Sequence, residues 1–301
     1  MNTKPLTTTQ FFRQFPDDET CLAHLFNVRF GQCFTCPSCE RQSKWFRIKA
    51  ERAYSCQWCG YHLHPTVGTP FQQTRTPLQL WFYAIHLFTT TRHGVSAKEL
   101  ERQLGVTYKT AWRMAGLIRQ HMADVDGDEP IGGLGRKVQI DETFVGGVIK
   151  RDKWGGDPTI KKAVVFGMLE VGGEIVTHVV PNRTSGTLLP IIRATVKRPS
   201  SIHTDEHKAY GGLGVMGYRH NTVNHSREQY VCKTTGATVN AVEGFWRHLK
   251  CSIQGTHTSV SPKYLGRYAK EFEYRFNRRN DPASMLPELL STFRPLTAKR
   301  G

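Results

Sequence analysis

Val138-Gln139-Ile140-Asp141-Glu142-Thr143-Phe144-Val145 reads as a β-strand that carries a carboxylate, Asp141, at its middle. Working outward, Ala163 to Val171 and Glu174 to Pro181 read as two further strands. A helix over Ser185 to Val196 follows, then a short strand from Ser201 to Thr204 that runs directly into Asp205. Glu142 and Glu206 come immediately after Asp141 and Asp205. Neighbouring strand residues point to opposite faces, so these second acids are read as structural rather than as members of the same cluster.

Three strands, a helix and a fourth strand is the order of a ribonuclease-H-like fold, an α/β catalytic domain with a mixed sheet flanked by helices. In such a sheet the first and fourth strands lie side by side in parallel. Asp141 and Asp205 then meet although 64 positions separate them. Carboxylates that close raise each other's pKa unless a cation neutralises them. A third acid is expected from a helix. At about 100° per residue, Val239, Val242, Trp246, Leu249 and Ile253 form one apolar stripe, and Glu243 is read as lying inside it. Lys250 falls within about 20° of Glu243 around that helix, and Asn240 about 60° away from it. Lys250 is either positive charge for the same site or a snorkelling surface lysine. Glu243 is either a metal ligand or a helix-edge acid satisfied by a cation.

Upstream, Cys36-Pro-Ser-Cys39 and Cys56-Gln-Trp-Cys59 are separated by sixteen residues. Two knuckles with this spacing offer four thiolates to one tetrahedral zinc, and the Lys44 to Lys49 stretch between them suits a short strand. Four protein ligands leave no open position, so the zinc is structural. Cys33, His62 and His64 lie nearby as alternatives, while Cys21, Cys232 and Cys251 read as small apolar residues.

From Thr76 the pattern turns helical, with Leu78, Trp81, Phe82, Ile85 and Phe88 on one face. Ser96 and Glu99 have capping-box spacing, Leu100 and Leu104 form a buried stripe, Gly105 supplies a turn, and Thr107 to Gln120 resumes helix. Helix, glycine turn and helix is a DNA-reading pattern as well as a common packing unit. Ala111, Ala115 and Ile118 are expected inside, and Tyr108, Lys109, Arg113 and Arg119 outside as DNA contacts. The acidic, glycine-rich run from Asp124 to Gly135 reads as a linker. The domain order expected is an N-terminal helical segment (1–30), a zinc ribbon (31–70), a helix-turn-helix region (74–122), a linker (123–136), the catalytic domain (137–280) and a C-terminal tail (281–301).

Bulk composition fits this order. The 301 residues carry 41 Lys plus Arg against 25 Asp plus Glu, a net charge of +16 whose field favours polyanions. No secretory leader core and no run of eighteen apolar residues occurs, so a cytoplasmic, nucleoid-associated protein without a membrane partner is expected. In a reducing compartment paired CxxC motifs bind metal rather than form disulfides.

IDETFVGG, TDEHKAY, VNHS at Val223 to Ser226, VNAVEGFWRHLK and YAKEFEYRFNRR at Tyr268 to Arg279, preceded by the cysteine ribbon, resemble the DDE-type insertion-sequence transposases of the bacterial group related to Merlin elements. The resemblance runs from about Cys36 to Arg279. It implies binding to terminal inverted repeats and Mg²⁺-dependent cleavage and strand transfer. It also implies that Asp141 and Asp205 are the first two catalytic acids, with Glu243 or Asn240 third. Val239 and Cys251 depart from the usual threonine and basic residue at those places. Two Mg²⁺ ions about 4 Å apart, or Mn²⁺ in their stead, would serve both cutting and joining, with Asp141 bridging them. DNA ends and target DNA are the expected partners, and pairing two ends calls for a homo-oligomer. Lys150, Arg151, Lys153, Lys161 and Lys162 around Trp154 form a candidate DNA clamp. In the last stripe Tyr264, Tyr268, Phe272 and Phe276 pack, while Lys263, Arg267, Lys270, Arg275, Arg278 and Arg279 add positive charge. A nuclease without strand transfer and a zinc-ribbon regulator with an inert acidic site are the competing readings.

Overall fold

The computed structural model describes residues 4–146, 149–150, 159–160, 162–223, 232 and 236–293. Arg151, Lys153, Trp154 and Lys161 of the candidate clamp, and Asn224, His225 and Ser226 of VNHS, lie outside the described residues. Two compact units divide the chain: Met1–Val125 together with Asn280–Gly301, and Asp126–Arg279. In chain order the first begins with α1 (Thr8–Gln14), α2 (Asp18–Arg29), β1 (Trp45–Ile48), β2 (Ala53–Cys56) and β3 (His62–Leu63). It continues with α3 (Leu78–Thr90), α4 (Ala97–Leu104) and α5 (Tyr108–Asp126), whose last residue falls in the second unit. Next come β4 (Ile131–Gly132), β5 (Lys137–Val145), β6 (Ile149–Lys150), β7 (Thr159–Ile160), β8 (Ala163–Glu170) and β9 (Ile175–Val180). Then follow α6 (Ser185–Thr195), β10 (Val196–Lys197), β11 (Ser201–Thr204), β12 (Arg219–Thr222), α7 (Asn240–Ser252) and α8 (Pro262–Asn277). The final helix, α9 (Met285–Ser291), belongs to the first unit.

In the first unit, caps start the helices where the chain leaves extended backbone. Thr7 and Gln10 close a capping box on α1, Asp17 accepts from Thr20 N–H ahead of α2, and Ser96 accepts from Glu99 N–H ahead of α4. Gly105 ends α4 in the left-handed region at φ 64°, where a side chain would be strained. Phe11, Leu22, Leu25, Phe26, Trp81, Phe82, Ile85 and Phe88 are buried, and Phe15 and Phe82 meet edge to face at 5.1 Å. The expected tail, residues 281–301, is corrected over its described part, residues 281–293. Met285, Leu286, Leu289 and Leu290 of α9 are buried, α9 packs on α2 and α3, and Leu289 and Leu290 carbonyls bond to His121 and His24 at 2.8 and 3.1 Å.

The second unit is built on a five-stranded sheet in the order β12-β11-β5-β8-β9. β5, β8 and β9 run antiparallel, while β11 and β12 run parallel to β5. This is the ribonuclease-H-like mixed sheet, with its first and fourth long strands adjacent. Alternation along β5 and β8 covers both faces. Val138, Ile140, Phe166 and Met168 pack with Leu188 and Ile192 of α6, whereas Val145, Val165 and Leu169 pack with Val242, Phe245, Trp246 and Leu249 of α7 and Phe272 of α8.

The stretch read as a linker at 123–136 is corrected in part, because much of it is built into this unit. β4 pairs with β10 and Ile131 is buried. Gly132 N–H donates to Glu170 Oε2 and Gly133 N–H to Ser200 Oγ, both at 2.8 Å. At Gly132, φ 81°, an added Cβ would come within 2.5 Å of Ser200 Oγ, so glycine here serves close approach rather than looseness. No helix among the described residues is long and apolar enough to cross a membrane.

Candidate carboxylate site and zinc centre

Register places the first two acids. β11 lies beside β5 with Ser201 opposite Lys137, Ile202 opposite Val138 and His203 opposite Gln139. Each partner is 64 positions on, the same offset that separates Asp205 from Asp141; the paired register ends two residues short of both acids, and the Asp205 charge acts on the Asp141 carboxyl. Adjacent strands are about 4.8 Å apart, and level residues of parallel strands share a face. Asp205 follows the last strand residue, and its Oδ1 accepts from His207 N–H at 3.0 Å.

Asp141 is half-buried. Burial, the neighbouring Glu142 carboxylate and, further out, Asp205 push its pKa up to about 7. The backbone N–H of Glu142 and the indole N–H of Trp246 pull the other way. A carboxyl raised by confinement and like charge is a site that a cation would relieve, and an all-oxygen donor set suits a hard one. Glu142 takes the opposite face. Its side chain is 2% exposed, 3.2 Å from Arg183 Nη1, and accepts from the Tyr210 hydroxyl. The Tyr210 phenol is thereby held far above its ordinary range, by burial first and by Glu142 next.

Helix α7 lies along β5 because two side chains of that strand receive it. Gln139 Oε1 accepts the N–H groups of Ala241 and Val242 at 2.9 and 3.2 Å, capping the first turn. Two residues on, Asp141 Oδ2 accepts from Trp246 Nε1 at 3.0 Å. Glu243 and Asn240 are both exposed, which corrects the reading of Glu243 inside the apolar stripe. With Val242, Phe245, Trp246 and Leu249 as the buried side, Glu243 falls at its edge, about 60° round the helix from Trp246. Asp141, Asp205 and Glu243 do not gather their ligand atoms within 4.8 Å; among the described residues only the four cysteines form such a group. Exposed Lys250 shares with Lys162, Gln254, Thr258 and Ser259 a cavity of about 340 Å³ beyond Phe144 and Val145. His207 and His220 serve local bonds, to Ala209 N–H and Thr204 Oγ1.

Gln139, Trp246 and Tyr210 were not singled out as site residues from sequence. A signal existed for the first: Gln139 shares the Asp141 face by alternation, so a buried amide there had to be satisfying something.

In the first unit β1, β2 and β3 form a three-stranded sheet under the cysteine knuckles. Cys36 and Cys59 sulfurs are 3.7 Å apart and Cys39 and Cys56 sulfurs 3.9 Å. Zinc–sulfur bonds of about 2.3 Å in a tetrahedron require edges of about 3.8 Å, so the cluster fits structural zinc. Burial would raise the Cys56 thiol, but the Ser43 hydroxyl and the N–H groups of Cys59 and Trp58 bring it down to about 6. Cys39 goes up to about 11: the Arg41 N–H pulls it down, but burial and the other three sulfurs outweigh that donor. His62 and His64 face Glu51 instead, at 3.6 and 4.0 Å.

On α5, Tyr108, Lys109 and Arg113 are exposed, together with Trp112. Arg119, expected outside as a DNA contact, is 3% exposed. Its Nη2 donates to the Val95 carbonyl at 2.9 Å, and its guanidinium carbon lies 5.1 Å from the Phe88 ring centre. A helix face assigned from charge alone failed there, because a loop carbonyl and an aromatic ring gave the cation a buried seat.

Comparison with known proteins agrees with this architecture. Residues 133–277 match the ISXO2-like transposase domain and residues 16–62 the transposase zinc-ribbon domain. An uncharacterized transposase-like protein of Haemophilus influenzae is 36% identical over 104 residues, 35% of this chain and 81% of that protein. An uncharacterized protein in transposable element ISH50 of Halobacterium salinarum is 25% identical over 270 residues, 83% of this chain and 88% of that one. Among solved structures, the catalytic core domain of BIV integrase aligns over 45% of this chain and 80% of that one, at 15% identity and a TM-score of 0.28. With the two matched domains and the 36% identical Haemophilus influenzae relative, the chain belongs to the insertion-sequence transposases that carry an ISXO2-like transposase domain.

Proposed function

We propose that this transposase binds the terminal inverted repeats of its insertion sequence and cuts and rejoins DNA phosphodiesters at Asp141 and Asp205. The observation that supports the reading is the parallel pairing of β5 with β11, which Asp205 directly follows, and the action of the Asp205 charge on an Asp141 confined beneath α7. Asp141 and Asp205 would hold magnesium, or manganese in its place, through carboxylate oxygens. Glu243 is favoured as the third ligand over Asn240, which lies about 120° round α7 from Trp246. When bound, a pair of such ions supplies Lewis acidity at the phosphodiester and an activated hydroxyl nucleophile. Lys250, one turn past Trp246, takes an adjacent phosphate. Tyr108, Lys109 and Arg113 on α5 contact DNA as the second helix of a helix-turn-helix pattern. Bringing two element ends together calls for a homo-oligomer.

Incubation of the zinc-loaded protein with end-sequence DNA and Mg²⁺ tests this. Asp141→Ala and Asp205→Ala should each abolish cleavage and strand joining while end binding stays unchanged. Normal cutting by either variant would remove the site assignment. Cleavage by the parent without joining would point to a nuclease, and binding without cleavage to a regulator.

A further inference from the structure

We infer that Trp246 is the positioning residue of the carboxylate site, an indole donor that fixes which way the Asp141 carboxylate faces. The inference rests on the reading of Asp141 as a cation ligand. Its geometry is independent of that reading. Trp246 Nε1 donates to Asp141 Oδ2 at 3.0 Å, and the indole is 4% exposed within the core that α7 makes on the sheet. Directly across the ladder from Asp141 on β8 stands Gly167. A Cβ at Gly167 would come within 2.6 Å of Trp246 Cζ2 and Cη2, so the ring reaches Asp141 only because its strand partner has no side chain.

An indole has one N–H and accepts nothing. The contact therefore pins Oδ2 toward α7, and with the Glu142 N–H as the carboxyl's other donor it leaves the remaining lone pairs for a cation on the open side. An apolar side chain at position 246 would fill the same core without orienting anything. Groups that orient a metal-binding carboxylate are worth about 10- to 100-fold in metal affinity.

The test uses full-length, zinc-loaded protein and Mn²⁺ as the probe, with free Mn²⁺ read by electron paramagnetic resonance. Trp246→Phe keeps a ring on Gly167 and loses the donor. It should weaken Mn²⁺ binding by about 10-fold or more. Asp141→Ala in the same titration should lose the site. The indole N–H signals of the six tryptophans give a second readout. The signal missing in Trp246→Phe should shift on Mg²⁺ addition in the parent and not in Asp141→Ala. Parent-like Mn²⁺ affinity in Trp246→Phe, alongside loss in Asp141→Ala, would overturn the positioning role alone. Parent-like affinity in Asp141→Ala would overturn the ligand reading and this inference with it. Should Trp246→Phe fail to fold, the parent spectrum decides: an indole signal perturbed by Asp141→Ala that ignores saturating Mg²⁺ overturns the role.

Discussion

A single carboxyl sets the pH behaviour expected of the site. Asp141 is held up to about 7 in the folded protein, by burial and then by Glu142, against an ordinary value of 3.8. The folded state therefore binds that proton more tightly than the unfolded one, and the resulting stability is present at low pH and lost as pH rises through 7. In magnesium-free, zinc-loaded protein, Asp141→Asn should remove about 2 to 3 kcal/mol of the decline in unfolding free energy between pH 5 and 7.5. Denaturant titrations of both proteins across that range would show it, and parallel curves would contradict it. Two arginines of α5 make a second residue-level contrast. Arg113→Ala should weaken end binding, lower the salt dependence of log K by about one unit and leave stability alone. Arg119→Ala should cost about 1.5 to 3 kcal/mol in unfolding free energy, because it removes a charged donor from a buried carbonyl. Equal stability of the two variants would undo this division of labour.

At the scale of elements, α8 departs furthest from its sequence reading. YAKEFEYRFNRR has a clear aromatic stripe that reads as packing, and its cations read as further positive charge for DNA. Glu271 and Glu273 are instead fully buried. Glu273 accepts from Thr177 N–H at 2.8 Å and from Lys270 Nζ at 2.7 Å, Arg275 reaches Glu271 at 3.0 Å, and Arg278 pairs with Asp126. The helix is fastened to β9 by hydrogen bonds to Glu273 and Asn277 and to the Asp126–Asp128 stretch by ion pairs, so Lys270, Arg275 and Arg278 are occupied inside the unit. Glu273→Ala should cost about 1 to 3 kcal/mol by leaving the buried Thr177 donors unpaired while Lys270 keeps Asp128, readable in chemical unfolding. The same contrast explains what was legible. Strands β5, β8, β9 and β11 and helix α6 announce themselves through local periodicity, and the parallel pairing of β5 with β11 follows from strand order. Buried acids carry no local mark, since their partners lie far off in sequence: Thr177 is 96 positions from Glu273, and Gln139 is 102 from Ala241. Glu243 is exposed because the 100° step carries it about 40° past Val239, the last of the apolar set, to the edge of the stripe.

For the whole molecule, zinc and the carboxylates belong to different units. Chelating zinc from the full-length protein should abolish hydrogen-exchange protection over residues 36–63 while β5, β8 and β9 keep theirs, because a ribbon this small depends on its metal. Loss of protection throughout would contradict that independence. Helix α9 escaped sequence analysis because it is only seven residues long, contains Pro287 and finds its cover in α2 and α3 more than 190 positions earlier. Its burial makes the order of synthesis and the order of completion differ. The ribosome delivers the zinc-binding half first, yet that half lacks one of its own walls until the final stretch emerges, after the carboxylate-bearing sheet is already made. A copy of the gene interrupted near its 3′ end would therefore lose structure at the beginning of the protein, while its middle could still fold.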